Sequence, residues 1–196
     1  MSYDIFKERR AMLKLFLSML LIIAGPALAK TWSLDPTTRV SIDVTWRGSV
    51  VEVQFPGLAG AIEFDETKPD KARARIVVPA TGATTGVGIV DALVRSPNYL
   101  AVENHPEIVF DLDRLAQTSP STADIFGRIT FRGVTRPLAF KAQVFRYGPS
   151  DDEPDRFEAG FDLTGSIDRT EFGSTGGLPE VPAVLPIRIR LLMVSG

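Results

Sequence analysis

Apolar and polar residues alternate one for one through most of this 196-residue chain, the signature of β-strands with one dry and one wet face. In RVSIDVTW, Val40, Ile42, Val44 and Trp46 share a side, opposite Ser41, Asp43 and Thr45. KARARIVV repeats the pattern with Ala72, Ala74, Ile76 and Val78. So do DIFGRITFRG (Ile125, Gly127, Ile129, Phe131), PLAFKAQVF (Leu138, Phe140, Ala142, Val144), RFEAGFDLTGSI (Phe157, Ala159, Phe161, Leu163) and PIRIRLLM (Ile187, Ile189, Leu191, Met193). With the shorter runs VVEVQF, GAIEFDE and EIVFDLD, the pattern predicts roughly eight or nine strands.

Gly and Pro break the pattern at PGLAG, GVTRP and GPSDDEPD, so short turns join consecutive strands into an antiparallel meander. A meander this long must manage its edges, and closure removes them. The expected fold is all-β: an eight-stranded antiparallel barrel with a short helical insertion covering one end. A two-layer sandwich satisfies the same alternation. The small residues on the apolar face (Ala72, Ala74, Gly127, Ala142, Ala159) favour a barrel with room inside for a small ligand.

The insertion is ATGATTGVGIVDALVRSPNYLAVENHPE, where Val90, Leu93 and Val94 fall at helical spacing. Ser96 followed by Pro97 reads as an N-cap with Pro at the first helical position, predicting a second short helix through about Ala101. His105 precedes Pro106 and is expected to be extended.

The first 29 residues do not belong to this pattern. A basic stretch, KERRAMLK, precedes the apolar run LFLSMLLIIAG and the small-residue site PALA, the three parts of a cleaved secretory signal peptide. Its apolar core, residues 15–24, is about half the roughly 20 residues of a membrane helix. Met12 is a second plausible start for the leader. Removing residues 1–29 takes away four basic and two acidic residues, leaving 18 and 22, a net charge of about −4. That balance gives no electrostatic footprint for nucleic acid. Without cysteine, an exported domain must be stable on packing alone.

Catalytic chemistry is poorly supplied. His105 is the single histidine, so any Ser-His-Asp arrangement must use it, and no G-x-S-x-G elbow occurs. Metal ligation lacks its usual His and Cys donors. TGATTGVG has neither the G-K-[ST] of a phosphate loop nor G-x-G-x-x-G, and DDEPD lacks the register of a calcium loop. Asp111 and Asp113 share the wet face of one strand. In GSIDRTEFGSTGG, Asp168 and Glu171 could act as acid and base, but no partner group accompanies them. Arg169 is read as pairing with one of these acids at the strand end, with Phe172 over the adjacent opening and Gly173 permitting the bend.

TWSLD, FDETKPDKARARIVV, DALVRSPNYLAVENHPEIVF, GRITFRGVTRP and IDRTEFG stand in an order and spacing that resemble the YceI-like family. The resemblance covers nearly the whole of residues 30–196. Its most specific pieces are LVRSPNYL, HPEIVF, GVTRP and the run from Arg169 to Gly173. Trp46 stands where the family usually has histidine, and EVPAVLPIRIRL carries prolines that the family's last strand normally lacks.

The resemblance implies an exported, lipocalin-like barrel over residues 30–196, periplasmic, that carries or sequesters an isoprenoid lipid such as a quinone or polyprenyl phosphate. It implies no enzyme activity, no cofactor and no metal. The expected lumen residues are Trp46, Ile62, Phe64, Phe110, Ile129, Phe131, Phe140 and Phe161, with Phe172 near the mouth; Arg95, Arg169, Glu171 and Gly173 form the rim motif. Other expectations are a monomer or homodimer and no nucleic-acid partner. The rivals are an accessory protein docking by its surface to a membrane electron-transfer partner and a small hydrolase using His105 or the Asp168 and Glu171 pair.

Overall fold

The computed structural model describes residues 30–195 apart from Glu66 and Pro154. The expected leader, residues 1–29, lies outside the described residues. Ten strands follow in order: β1 (Lys30–Leu34), β2 (Arg39–Trp46), β3 (Ser49–Phe55), β4 (Ala59–Phe64), β5 (Arg73–Pro79), β6 (Glu107–Ser119), β7 (Thr122–Phe131), β8 (Val134–Pro149), β9 (Phe157–Asp168) and β10 (Val184–Ser195). All their pairings are antiparallel. β1, β4, β5, β6, β7, β8, β9 and β10 form a ring of eight, closed where Leu34 meets Met193. This is the barrel, not the sandwich.

The ten segments exceed the expected number because two walls are broken. β10 pairs with β2 at residues 187–190 and with β1 at 193–194, so β1 and β2 run end to end along one neighbour. β3 and β4 are likewise two halves of one wall. β3 pairs only with β2 among the strands, and β5 turns away toward β6, so the upper wall has a seam between β3 and β5. Residues 80–87 fill it: the Gln54 N–H donates to the Thr84 carbonyl at 2.8 Å, and the Thr84 N–H returns to Gln54 at 2.9 Å. Ala80 and Ala83 are fully buried there.

Local chemistry sets the corners. Arg47 and Gly48, and again Arg132 and Gly133, take positive φ values of 49° and 81°, and 50° and 75°. These are two-residue hairpins of the kind whose twist matches the strands they join. Three strand ends carry the same Asp-x-Thr device: Asp35, Asp65 and Asp168 each accept from the backbone N–H and the hydroxyl of the threonine two residues on. Such a carboxylate satisfies backbone groups that the ending ladder leaves unpaired.

One α-helix, α1 (Gly88–Arg95), stands among the described residues. The second helix, expected through Ala101, is absent, and residues 97–100 form turns instead. The Ala101 N–H reaches back to Ser96 with Ala101 itself at φ 54°. The guanidinium of Arg132, on the β7–β8 turn, takes the carbonyls of Pro97 and Tyr99. A distant side chain thus satisfies the carbonyls a helix would have used, and tertiary contacts override the local cap signal.

Candidate functional site

The alternation converges on a cavity of about 600 Å³ inside the barrel, within the roughly 300–1,000 Å³ of small-molecule sites. Val40, Ile42, Val44 and Trp46 of β2, Ala72 before β5, and Ala74, Ile76 and Val78 of β5 all face it, as do Ile125, Ile129 and Phe131 of β7. So do Leu138, Phe140 and Ala142 of β8, Phe161 and Leu163 of β9, and Ile187, Ile189, Leu191 and Met193 of β10. Of the expected lumen residues, Trp46, Ile62, Phe64, Phe110, Ile129, Phe131, Phe140 and Phe161 line it.

Phe172 does not. It lies in a 3₁₀ turn, Arg169–Phe172, and is buried behind Phe131 with ring centroids 5.4 Å apart. The turn's tighter winding rotates it into the wall instead of over the opening. Two small positions also differ from expectation. Gly127 leaves no free space, because the Asp111 carbonyl and the Phe110 ring both lie 2.4 Å from where its Cβ would stand. Ala159 packs with Trp32, Ile62 and Met193 beneath the cavity. Ala72, Ala74 and Ala142 do line it.

The floor is aromatic. Trp32, 1% exposed, donates its indole N–H to the Phe64 carbonyl at 3.0 Å. Its ring stands 6.4 Å from Phe64 and 6.1 Å from Phe157, while Phe64 meets Phe161 edge-on at 6.3 Å. Such tilted contacts suit the ring quadrupoles. Sequence reading had no reason to single out Trp32, since β1 is too short to show a period. It also missed Leu115. A β-bulge between Leu112 and Arg114 re-phases β6, so Leu112 and Leu115, three residues apart, both face inward.

The mouth lies at the opposite end, where Trp46, Arg47, Leu93, Tyr99, Arg169, Ser174 and Glu180 complete the lining. Arg169 is 3% exposed and pairs with neither Asp168 nor Glu171, contrary to expectation. Its Nε donates to the Pro182 carbonyl at 2.9 Å, and its terminal nitrogens donate to Ser174 at 2.9 Å and Val181 at 2.8 Å. Burial pulls its pKa below the usual arginine value, with the Tyr99 ring 5.9 Å away. It therefore laces the 174–182 loop to the end of β9. Asp168 is held below the ordinary carboxylate pKa, first by the Thr170 hydroxyl and then by the Thr170 N–H. Glu171 is exposed, and Gly173 closes the 3₁₀ turn at φ 73°.

Arg95 does not face the cavity. It donates twice to the Ala83 carbonyl, at 3.0 and 2.7 Å, fastening α1 to the segment that fills the seam. Asp91 accepts from the Thr84 hydroxyl and from the N–H and hydroxyl of Thr85, which depress its pKa, the Thr85 N–H most. His105 sits outside the lining, with its ring against Gly133. Asp111 and Asp113 face outward in ion pairs with Arg75 at 2.7 Å and Arg128 at 3.1 Å. His105, Asp168 and Glu171 stand outside the lining, and what the geometry brings together is an apolar chamber.

Comparison with known proteins follows the same line. The profile of the YceI-like domain matches residues 32–193. A UPF0312 protein of Pseudomonas savastanoi is 27% identical over 175 residues, covering 87% of this chain and 90% of its own. Among solved structures, BcnA of Burkholderia cenocepacia superposes with a TM-score of 0.70 at 16% identity, over 83% of this chain and 99% of its own. A polyisoprenoid binding domain from Saccharophagus degradans, implicated in plant cell wall breakdown, superposes at 0.63 with 14% identity, over 86% and 99%.

Proposed function

Because the chain belongs to the YceI-like domain family, we propose that it binds an isoprenoid lipid in its lumen and carries or sequesters it in the periplasm, after export by the leader at residues 1–29. A quinone or a polyprenyl phosphate fits the arrangement: an apolar tail in the chamber, a polar head at the mouth. The observation that carries this reading is the chamber of about 600 Å³ with its almost wholly apolar lining. Left empty, an apolar void of that size would cost on the order of 10 kcal/mol by the cavity penalties measured in protein cores. That is comparable with the whole stability of a domain. Water is a poor filler, since it needs two to four polar partners. An apolar guest removes the penalty. The polyisoprenoid-binding relative of the same fold supports the class of guest.

The reading is of a binding protein, not an enzyme, and it is supported by the separation of His105, Asp168 and Glu171 from the lining. It is tested by native mass spectrometry of protein purified from a periplasm without detergent, followed by organic extraction. A stoichiometric adduct that resolves into a quinone or polyprenyl mass is expected. A clean apo mass that persists after incubation with several isoprenoids would overturn the lipid function and leave the barrel.

A further inference from the structure

The large apolar side chains left in solvent are not scattered. Among the described residues they are Trp46, Val50, Val87, Ile89, Leu93, Leu178 and Val184 at the mouth end, with Phe145 and Tyr147 on the side of the barrel. The last two are engaged, since the guanidinium of Arg190 lies 3.9 Å over the Phe145 ring and Phe157 stands 5.0 Å from Tyr147. The others form a collar contributed by the β2–β3 hairpin, Val87 with α1, and Leu178 with the first residue of β10. Trp46 and Leu93 belong both to the collar and to the cavity lining, so the apolar surface runs without a break from the chamber to the outside.

Helix α1 makes the same point. A surface helix normally turns its charges to water. Here both charged residues are engaged within the protein, Asp91 by Thr84 and Thr85 and Arg95 by the Ala83 carbonyl. Val90 and Val94 face the cavity. That leaves Ile89, 83% exposed, with Ala92 and Leu93 to meet the solvent. At the hairpin tip, Arg47 stacks 5.2 Å over Trp46, a pairing suited to the boundary between hydrocarbon and head groups.

We infer that the mouth collar is a docking surface for a lipid bilayer, against which the barrel sits while cargo passes between membrane and lumen. This rests on the lumen reading. The occupant follows from the shape and chemistry of the collar. It is a ring around an opening, built from three separate chain segments, and a deformable apolar phase meets all of them at once, whereas a peptide needs a groove. An isoprenoid tail crossing from bilayer to chamber beneath the collar never enters water. Of the exposed rim charges, Arg47 is basic and Glu171 and Glu180 are acidic, so attachment depends on apolar insertion and not on anionic lipid.

The two tryptophans supply the test: Trp46 is 48% exposed in the collar, whereas Trp32 is sealed in the floor at the other end. The lipid-loaded protein is mixed with phosphatidylcholine vesicles carrying brominated chains, which quench tryptophan on contact. Quenching of the exposed fraction of the emission is expected, little changed by salt. Val50→Ser with Ile89→Ser, neither in the cavity lining, should weaken vesicle partition about a hundredfold while leaving extracted lipid unchanged. A loaded protein that neither binds nor is quenched overturns the docking but leaves the lumen reading. Binding with no lipid ever recovered leaves the docking and sinks the lumen reading. Attachment only to native membranes, abolished by protease treatment of those membranes, overturns the proposal in favour of a protein partner.

Discussion

The position of Phe131 and Phe161 is legible in the sequence, because a strict period of two leaves an apolar residue in RITF or AGFDL no other side to occupy. Both line the chamber, and Phe131→Asp or Phe161→Asp should abolish lipid co-purification, read by extraction from folded variant. Gly127 shows what the period cannot reveal. Its face was right but its space belongs to Phe110 and the Asp111 carbonyl, and Gly127→Ala should cost about 1–3 kcal/mol by overpacking, measured as a shift in urea midpoint. Asp35 carries a pH-dependent contribution. Its pKa is lowered by the Thr37 hydroxyl first, then by the Thr37 N–H and by Arg156, against an opposing effect of burial. A carboxylate with a depressed folded pKa stabilises above its unfolded value, near 3.9, and that stability is lost as pH falls through the folded value. Asp35→Asn should thus be about 1–3 kcal/mol less stable than the parent at pH 7, and denaturation curves of the two should converge below about pH 4.

At the scale of elements, strand existence and facing followed from pattern, and interruptions did not. The bulge in β6 brings Leu115 inward by a shift of register that no residue announces. The turn after Pro97 carries a sound helix-start signal and yet is no helix, because Arg132 arrives from the β7–β8 hairpin to take its carbonyls. Phe172 is turned into the wall by the 3₁₀ turn over Arg169–Phe172, a local winding that the residues do not announce. The insertion's attachment rests on the isolated bridge between Gln54 and Thr84 and on side chains, not on a ladder, which makes it separable from the wall. Asp91→Ala should accelerate amide exchange over residues 84–95 while the β6 to β9 ladder stays protected, a contrast read by hydrogen–deuterium exchange with peptide resolution.

For the whole molecule, the chamber has a floor, and that sets a limit on what its apolar lining can yield. At about 0.8 kcal/mol per CH₂, one five-carbon isoprene unit is worth roughly 4 kcal/mol gross, so eight units would exceed about 30. Observed affinities stop near 18 to 21 kcal/mol, and ordering the tail removes part of the gain. Affinity should therefore rise with tail length and then level off once the tail reaches the cluster of Trp32, Phe64 and Phe161, as a titration across a series of isoprenols would show. The seam between β3 and β5 sets a different limit. Below it the wall is knitted strand to strand and its circumference is fixed. Above it, one bridge between Gln54 and Thr84 and a handful of side-chain ties stand in for a ladder. A vessel knitted at the base and laced at the neck should yield first at the lacing, so a bulkier guest is expected to quicken amide exchange over residues 80–87 and leave the base ladders protected.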